Sequence, residues 1–231
     1  MNLLSMVTYL RDNILDDSGG QGVDWTNYSD TTFDSIQLRW RNEELVANIN
    51  EAIKQVYRRT NPIKSVISLS IVSGTNTYSL PSYVLSVKNV KRGTGEEVSV
   101  KELDELWHLQ DLYTRTGDPI NFIVDSALNS IQLYPTPTAS DTLKLIVYRL
   151  PLTDLTWDDN EVTPELREEY HVPMLFYAAS LCYMKDEANT LDPNRASTFS
   201  AMFDREFPFT SVYSNISKTR RSNRSMRYGG Y

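Results

Sequence analysis

The chain has one cysteine, two histidines and nine glycines in 231 residues, and no long run of apolar residues. A lone thiol, Cys182, excludes an internal disulfide and any zinc site built from several cysteines. The two histidines, His108 and His171, are far apart and fall in no metal-binding spacing such as H-E-x-x-H. The longest apolar stretch, Val172 to Met184, is shorter than the ~18 residues that span a bilayer, and Pro173 and Ser180 interrupt it. No membrane association is expected. The first residues carry no basic segment and reach Arg11 and Asp12 before a secretion signal could form, so synthesis and folding in the cytoplasm are expected. Without export, the sequons at Asn27, Asn215 and Asn223 carry no weight.

Basic residues are also in deficit, 23 against 30 acidic, for a net charge of -7. The deficit is not uniform. Residues 208–231 hold five cations (Lys218, Arg220, Arg221, Arg224, Arg227) and no acid, so residues 1–207 carry 18 basic and 30 acidic residues, a net of -12. An acidic body therefore carries a short basic tail. The length fits one or two domains that bury roughly 70% of their unfolded surface, so neither a disulfide nor a metal is needed for folding.

Periodicity divides the chain. Leu3, Leu4, Val7, Leu10, Ile14 and Leu15 recur at helical spacing and predict a first helix of about fourteen residues, with Arg11 and Asp12 on its polar face. A glycine-rich loop over 16–32 ends it. A second helix is predicted from Asn42, as N-cap, to Arg59. Glu43 and Glu44 open it, Arg58 and Arg59 close it, and Leu45, Ile49, Ala52, Ile53, Val56 and Tyr57 form its apolar stripe. From Lys64 to Leu150 the period becomes two. Strands are predicted around Ile67–Ile71, Tyr83–Val87, Val98–Val100, Phe122–Val124, Ile131–Leu133 and Leu143–Val147, with turns at Gly74-Thr75-Asn76 and Gly93-Thr94-Gly95 and a short helix over 102–113. Helices return with Thr163-Pro164-Glu165, a start signal for a helix running to Glu187 that Pro173 should kink. Asp192-Pro193 opens a last helix.

The expected fold is α+β. Residues 1–62 and 151–207 supply the two halves of a helical bundle, 63–150 form an inserted antiparallel β-domain of sandwich or barrel type, and 208–231 form an extended basic C-terminal arm.

Little in the sequence points to catalysis. His108 and His171 read as surface or capping residues, and Cys182, between Leu181 and Tyr183, reads as a buried, inert thiol. Asp158, Asp159, Glu161 and Glu165 lack the spacing of a calcium loop and read as acids favoured near a helix N-terminus; a hydrolase using Asp158 and Glu161 is the weakest alternative. Gly93-Thr94-Gly95-Glu96-Glu97 lacks the lysine and spacing of a phosphate loop. No catalytic residue, cofactor or metal is expected.

The tail has more to offer. Extended, its 24 residues reach roughly 80 Å, and ordering them costs on the order of 1–2 kcal/mol per residue. Phe209, Tyr213, Lys218, Arg220, Arg221, Arg224, Arg227, Tyr228 and Tyr231 are the candidate partner-binding residues, because Arg and Tyr concentrate in energetically strong interfaces. A solvated terminus and a phosphate-binding segment are the alternatives.

Several collinear stretches resemble the head-to-tail adaptor (connector) proteins of tailed bacteriophages, particularly the short-tailed type. They are Leu38-Arg39-Trp40-Arg41-Asn42-Glu43-Glu44-Leu45 with Asn50-Glu51-Ala52-Ile53, and Gly74 with Tyr78-Ser79-Leu80-Pro81. Gly117-Asp118-Pro119-Ile120-Asn121-Phe122 and Leu150-Pro151-Leu152-Thr153-Asp154-Leu155 follow. The most specific is Tyr170, Pro173, Leu175, Tyr177-Ala178, then Cys182-Tyr183-Met184-Lys185-Asp186-Glu187-Ala188. The resemblance covers about residues 36–207. It implies a non-catalytic ring, usually of twelve copies, in the virion neck. Its partners would be the portal, the tail nozzle or tube, and neighbouring copies. Viral DNA would pass through the lumen without sequence-specific binding. A tail-tube or stopper subunit and a nucleic-acid-binding accessory protein remain as alternatives.

Overall fold

The computed structural model describes residues 1–17, 38–124, 129–187 and 190–208. In chain order the elements are α1 (Leu3–Tyr9), a π-helical stretch (Leu10–Leu15), α2 (Asn42–Thr60), β1 (Lys64–Ile71), β2 (Thr77–Ser79), β3 (Val84–Arg92), β4 (Glu97–Glu102), α3 (Leu103–Leu106), β5 (Asn121–Val124), β6 (Ser130–Tyr134), β7 (Asp141–Arg149), 3-10 turns at Trp157–Asp159 and Glu168–Tyr170, α4 (His171–Tyr183) and α5 (Pro193–Glu206). They group into two compact units. One takes Met1–Thr60 and the chain from Thr153 onward; the other is Asn61–Leu152.

In the helical unit, Asn2 caps α1 by accepting a hydrogen bond from the Ser5 N–H at 2.9 Å. The N–H groups of Leu3 and Leu4 donate to the carbonyls of Val162 and Asn160 at 2.9 and 2.8 Å, which satisfies donors that a helix start leaves open. Of the predicted stripe, Leu3, Val7, Leu10 and Leu15 are buried and Leu4 and Ile14 half-buried; Met6, outside that stripe, is buried as well. Arg11 is not on a polar face: it is wholly buried. A charge is tolerated there only with partners, and these come from Asp17, Trp40 and Asn42, too distant in sequence for periodicity to reveal.

Helix α2 buries the predicted stripe from Leu45 to Tyr57. Asn42 is its first helical residue rather than its cap, because the Asn42 carboxamide oxygen accepts from Arg11 instead of from the helix backbone. The Glu44 carboxylate takes the Arg41 N–H at 3.0 Å. The helix stops at Thr60, where Asn61 turns to φ 48 ahead of Pro62.

The start signal at Thr163-Pro164 does not open a helix. A 3-10 turn at Glu168–Tyr170 precedes α4, which begins at His171 and ends at Tyr183. Pro173 therefore lies in the first turn of α4, where a missing N–H costs nothing, and the expected kink has no cause. Helix α5 begins as predicted: Asp192 caps it, its carboxylate accepting from the N–H groups of Asn194 and Arg195, and Pro193 follows.

A seam of rings joins α4 to α5. Phe176 and Tyr183 stack with Phe199 at centroid distances of 6.3 and 5.9 Å. Phe203 meets Tyr177 and Phe207 at 5.0 Å each, and Tyr170 meets Phe207 edge-on at 5.4 Å.

The β-unit is one curled, seven-stranded sheet in the order β1-β7-β3-β4-β5-β6-β2. The expected all-antiparallel arrangement holds except at β4–β5, which pair in parallel. A parallel pair needs a long crossover, and residues 103–120 provide it. The helix predicted over 102–113 shrinks to the single turn α3, since Leu106 and Leu112 reach Ile123 and Tyr134 through a chain of turns. The other core cluster gathers Ile71, Val90, Val98, Phe122, Ile131, Leu133, Leu143, Leu145 and Val147. Two register shifts in β3, between Val84 and Ser86 and between Val87 and Asn89, explain why its alternation is blurred in the sequence. Strand β2, three residues long, hides among the turn residues. The Gly93–Gly95 hairpin is as expected, with Gly95 at φ 95, a conformation side chains rarely adopt.

Candidate functional site

The side chains that could carry chemistry are dispersed. His171 is buried, not a surface residue. Its Nε2 lies 3.1 Å from the Leu166 carbonyl and its Nδ1 2.9 Å from the Met1 amino group. Together these contacts fit a neutral ring that donates through Nε2 and accepts at Nδ1. Burial, aided by the Met1 ammonium, holds its pKa below the ordinary 6.5, against the opposing Leu166 carbonyl and Glu168. The folded state therefore resists a proton that the unfolded chain accepts. Stability contributed by neutral His171 is complete above 6.5 and is lost as pH falls below it. We predict that H171Q loses less melting temperature than the wild type between about pH 7.5 and about pH 5; equal losses in the two proteins would refute this role. His108 is exposed, beyond α3.

Cys182 is 1% exposed, and burial pushes its thiol up to about 12 despite a hydrogen bond from Asn48 Nδ2 at 3.2 Å. Such a thiol is inert at neutral pH, as its apolar neighbours predict. Asp158, Asp159 and Glu161 are exposed on the 157–161 turn. The dipole reading of these acids fails, because α4 starts ten residues beyond Glu161. Among the described residues no three His, Cys, Asp or Glu side chains converge as a metal site, and no helix is long and apolar enough to cross a membrane.

What the structure brings together instead is a buried polar lock. Arg11 Nη1 lies 2.5 Å from the Asp17 carboxylate, with side-chain exposures of 0% and 4%. Arg11 Nη2 donates to the Trp40 carbonyl at 2.6 Å and to Asn42 Oδ1 at 2.8 Å, and the Arg39 N–H donates to Asp17 at 2.9 Å. Burial holds the Asp17 carboxyl above its ordinary value, outweighing the lowering by the Arg39 N–H and Arg11. Beside this lock, the Trp40 indole donates to the Cys182 carbonyl at 3.1 Å and its ring meets Tyr183 edge-on at 5.7 Å. Lys185 bridges Glu44 at 2.8 Å and Glu187 at 3.0 Å. Burial raises the Glu44 carboxyl, but Lys185 and the Arg41 N–H outweigh it, leaving the group below its usual value.

The 38–45 stretch and the Cys182–Glu187 stretch, distant in sequence, thus meet in the helical unit. Their polar residues hold helices together. In the β-unit, Asp118 serves a similar end: Arg92 gathers Glu96, Asp118 and Asp141 at 3.1–3.3 Å. Periodicity could not expose these long-range pairs; the lone Arg11 in an apolar run was the available signal.

The tail residues Phe209, Tyr213, Lys218, Arg220, Arg221, Arg224, Arg227, Tyr228 and Tyr231 lie outside the described residues, as does most of the 16–32 loop. Helix α5 leads to them and ends at Glu206, with Phe207 buried and its N–H bonded to the Phe203 carbonyl at 2.8 Å.

A family model described as SU10 adaptor protein matches residues 1–227. No curated protein matches the chain.

Proposed function

Since this chain belongs to the SU10 adaptor protein family, a structural, non-enzymatic kind of phage protein, we propose that it forms an adaptor ring in the virion neck. The ring, of twelve copies, joins the portal to the tail nozzle or tube of a short-tailed phage and lines the conduit through which DNA leaves. The carrying observation is the extent of the family match, residues 1–227, which takes in both compact units and most of the basic tail.

Physical considerations support this reading. The stretches that carry the sequence resemblance build buried locks and ion pairs, as a scaffold requires. A body with a net charge of -12 suits a DNA conduit, because a cationic wall would retain phosphate. The five cations and the aromatic residues after Pro208 then serve as an arm that docks on the portal or a neighbouring copy. Phe209, Tyr213, Tyr228 and Tyr231 would be buried at that interface, and Lys218, Arg220, Arg221, Arg224 and Arg227 would meet acidic residues there.

The test is the native mass of the purified chain, alone and mixed with the portal of the same phage, beside a version ending at Phe207. The full chain is expected to join the portal as a ring, and the shortened one to lose at least about tenfold in affinity. If neither binds the portal while the full chain shifts DNA in a salt-sensitive manner, the adaptor reading gives way to a nucleic-acid-binding one. If the chain binds only a preassembled adaptor, it is a stopper or tube subunit.

A further inference from the structure

One surface of the β-unit stands apart among the described residues. Side chains alternate across a strand. With Ile67, Leu69 and Ile71 of β1 and Leu143, Leu145 and Val147 of β7 on the core side, Lys64, Val66, Ser68 and Ser70 share the opposite face with Thr142, Lys144, Ile146 and Tyr148. The pairing sets Val66 beside Ile146 and Ser68 beside Lys144. Lys144 in turn pairs with Lys91 of β3, and Ile146 with Asn89. Lys88 is exposed at the second register shift of β3.

The result is an apolar strip with Val66 66% exposed, edged by Lys64, Lys88, Lys91 and Lys144. None of these four has an ion pair among the described residues, whereas Lys54 and Lys101 each have one and Lys185 has two. Glu97, paired with Lys91 across β3–β4, is engaged by Asn89 Nδ2 at 3.1 Å, and Lys64 Nζ lies 5.7 Å from the centre of the Tyr148 ring. The face continues to an open sheet edge. Strand β1 ends the strand order, pairs with β7 without a register shift over eight residues, and has no proline and a single charge, Lys64. Exposed edges are usually protected by such features, and this one lacks them.

The helical unit carries the complementary charge. Residues 154–169 hold seven acids and one base. Asp158, Asp159 and Glu161 are exposed, and none has an ion pair among the described residues. Beside them Val162 is 39% exposed.

We propose that the outer β1-β7-β3 face of one copy docks on the acidic 157–161 turn of a second copy. The inference rests on the ring reading above and names the contact between neighbours. Each copy then offers two different surfaces, so the contact is head-to-tail and can close into a ring. Val66, Ile146 and Tyr148 supply the apolar centre, and the lysines supply the charged rim that fixes register and speeds encounter. The apolar strip between the lysines favours a protein over a nucleic acid, for which it offers nothing to a phosphate backbone.

The test uses two charge-reversed variants of the full chain, K88E/K91E/K144E and D158K/D159K/E161K. All six positions are exposed, and circular dichroism confirms folding of each. Native mass is measured for each, with the portal present. Each variant alone is expected to lose ring formation by at least about tenfold in affinity, and mixing the two is expected to restore it through alternating copies. Wild-type assembly by the lysine variant, or failure of the mixture to recover, overturns the proposed contact while leaving the adaptor reading intact. A lysine variant that assembles normally but no longer retains DNA assigns the face to nucleic acid and likewise overturns the contact. A wild-type chain that never joins the portal removes the adaptor reading and this contact with it.

Discussion

Arg11→Met is expected to destabilise the helical unit by about 3–5 kcal/mol, the scale found when one partner of a buried ion pair is removed. The Arg11–Asp17 pair has side-chain exposures of 0% and 4%, so the deletion strands a carboxylate that water cannot reach. The Trp40 carbonyl and Asn42 Oδ1 lose donors as well, and each buried acceptor left unmade adds to the loss. Against a total of roughly 5–15 kcal/mol for a folded domain, this is a large fraction. The double variant R11M/D17L is expected to recover part of it, because no unpaired charge stays buried, while the Trp40 carbonyl, Asn42 Oδ1 and the Arg39 N–H still lack the partners that Arg11 and Asp17 supplied. Burial already holds the Asp17 carboxyl above its ordinary value, which says that the ionised group is tolerated more than favoured. The measurement is the urea midpoint at unchanged slope for the single and double variants. A loss under about 1 kcal/mol for R11M would mean that water reaches the pair and that the lock is not what orders the turn into α2.

The second large effect is expected at Phe203→Ala, also about 3–5 kcal/mol. Phe203 is fully buried, its ring lies 5.0 Å from both Tyr177 and Phe207, and the Arg59 guanidinium sits 4.7 Å over it. Truncation leaves a cavity at the junction of α2, α4 and α5 and removes the face on which Arg59 rests while it bonds Asp204 at 2.5 Å and the Phe207 carbonyl at 2.9 Å. For a chain of this size the loss corresponds to roughly 6–20 °C in melting temperature. Phe203→Leu, which keeps most of the volume, should lose far less. If the two variants melt together, the seam is not packed as described. Because α5 leads into residue 208, F203A should also weaken portal binding more than its stability loss accounts for, if the tail is a docking arm launched from Phe207.

The elements with one strong local cause were legible in the sequence. Helix α2 carries charge of the right sign at each end and a single apolar stripe. Asp192-Pro193 states both the cap and the first residue of α5. The β-strands with clean alternation, β1 and β7 above all, were equally plain. The misread elements share a different cause, namely that distant residues decide them. Thr163-Pro164-Glu165 has every local mark of a helix start, yet Leu166 N–H bonds the Pro164 carbonyl and the helix waits until His171. The parallel β4–β5 pair depends on a crossover that no alternation pattern encodes. Arg11 looks like a surface residue until Asp17, Trp40 and Asn42 are placed around it. Cys182 was readable as inert from its apolar neighbours. His171 was not readable as buried, because its partners, Met1 and Leu166, are set by how α1 and the 164–170 segment come together. The lysine face shows only after the register of three strands is known.

The order of the two units along the chain fixes when each can mature. The β-unit is one uninterrupted stretch, Asn61–Leu152, whereas the helical unit needs both ends of the protein. From Thr60 to His171 the ribosome adds roughly 110 residues, which takes on the order of ten seconds. During that interval α1 and α2 have been made but α4, against which α2 packs, has not. The nascent helices must therefore wait with Leu45, Ile49, Ile53 and Val56 uncovered while the sheet folds. The buried pair of Arg11 and Asp17, whose hydrogen bonds to Arg39, Trp40 and Asn42 all fall before Ile49, is a contact the waiting segment can form early. On this view it is a clasp of the newborn chain, closed before the polypeptide that later covers it exists.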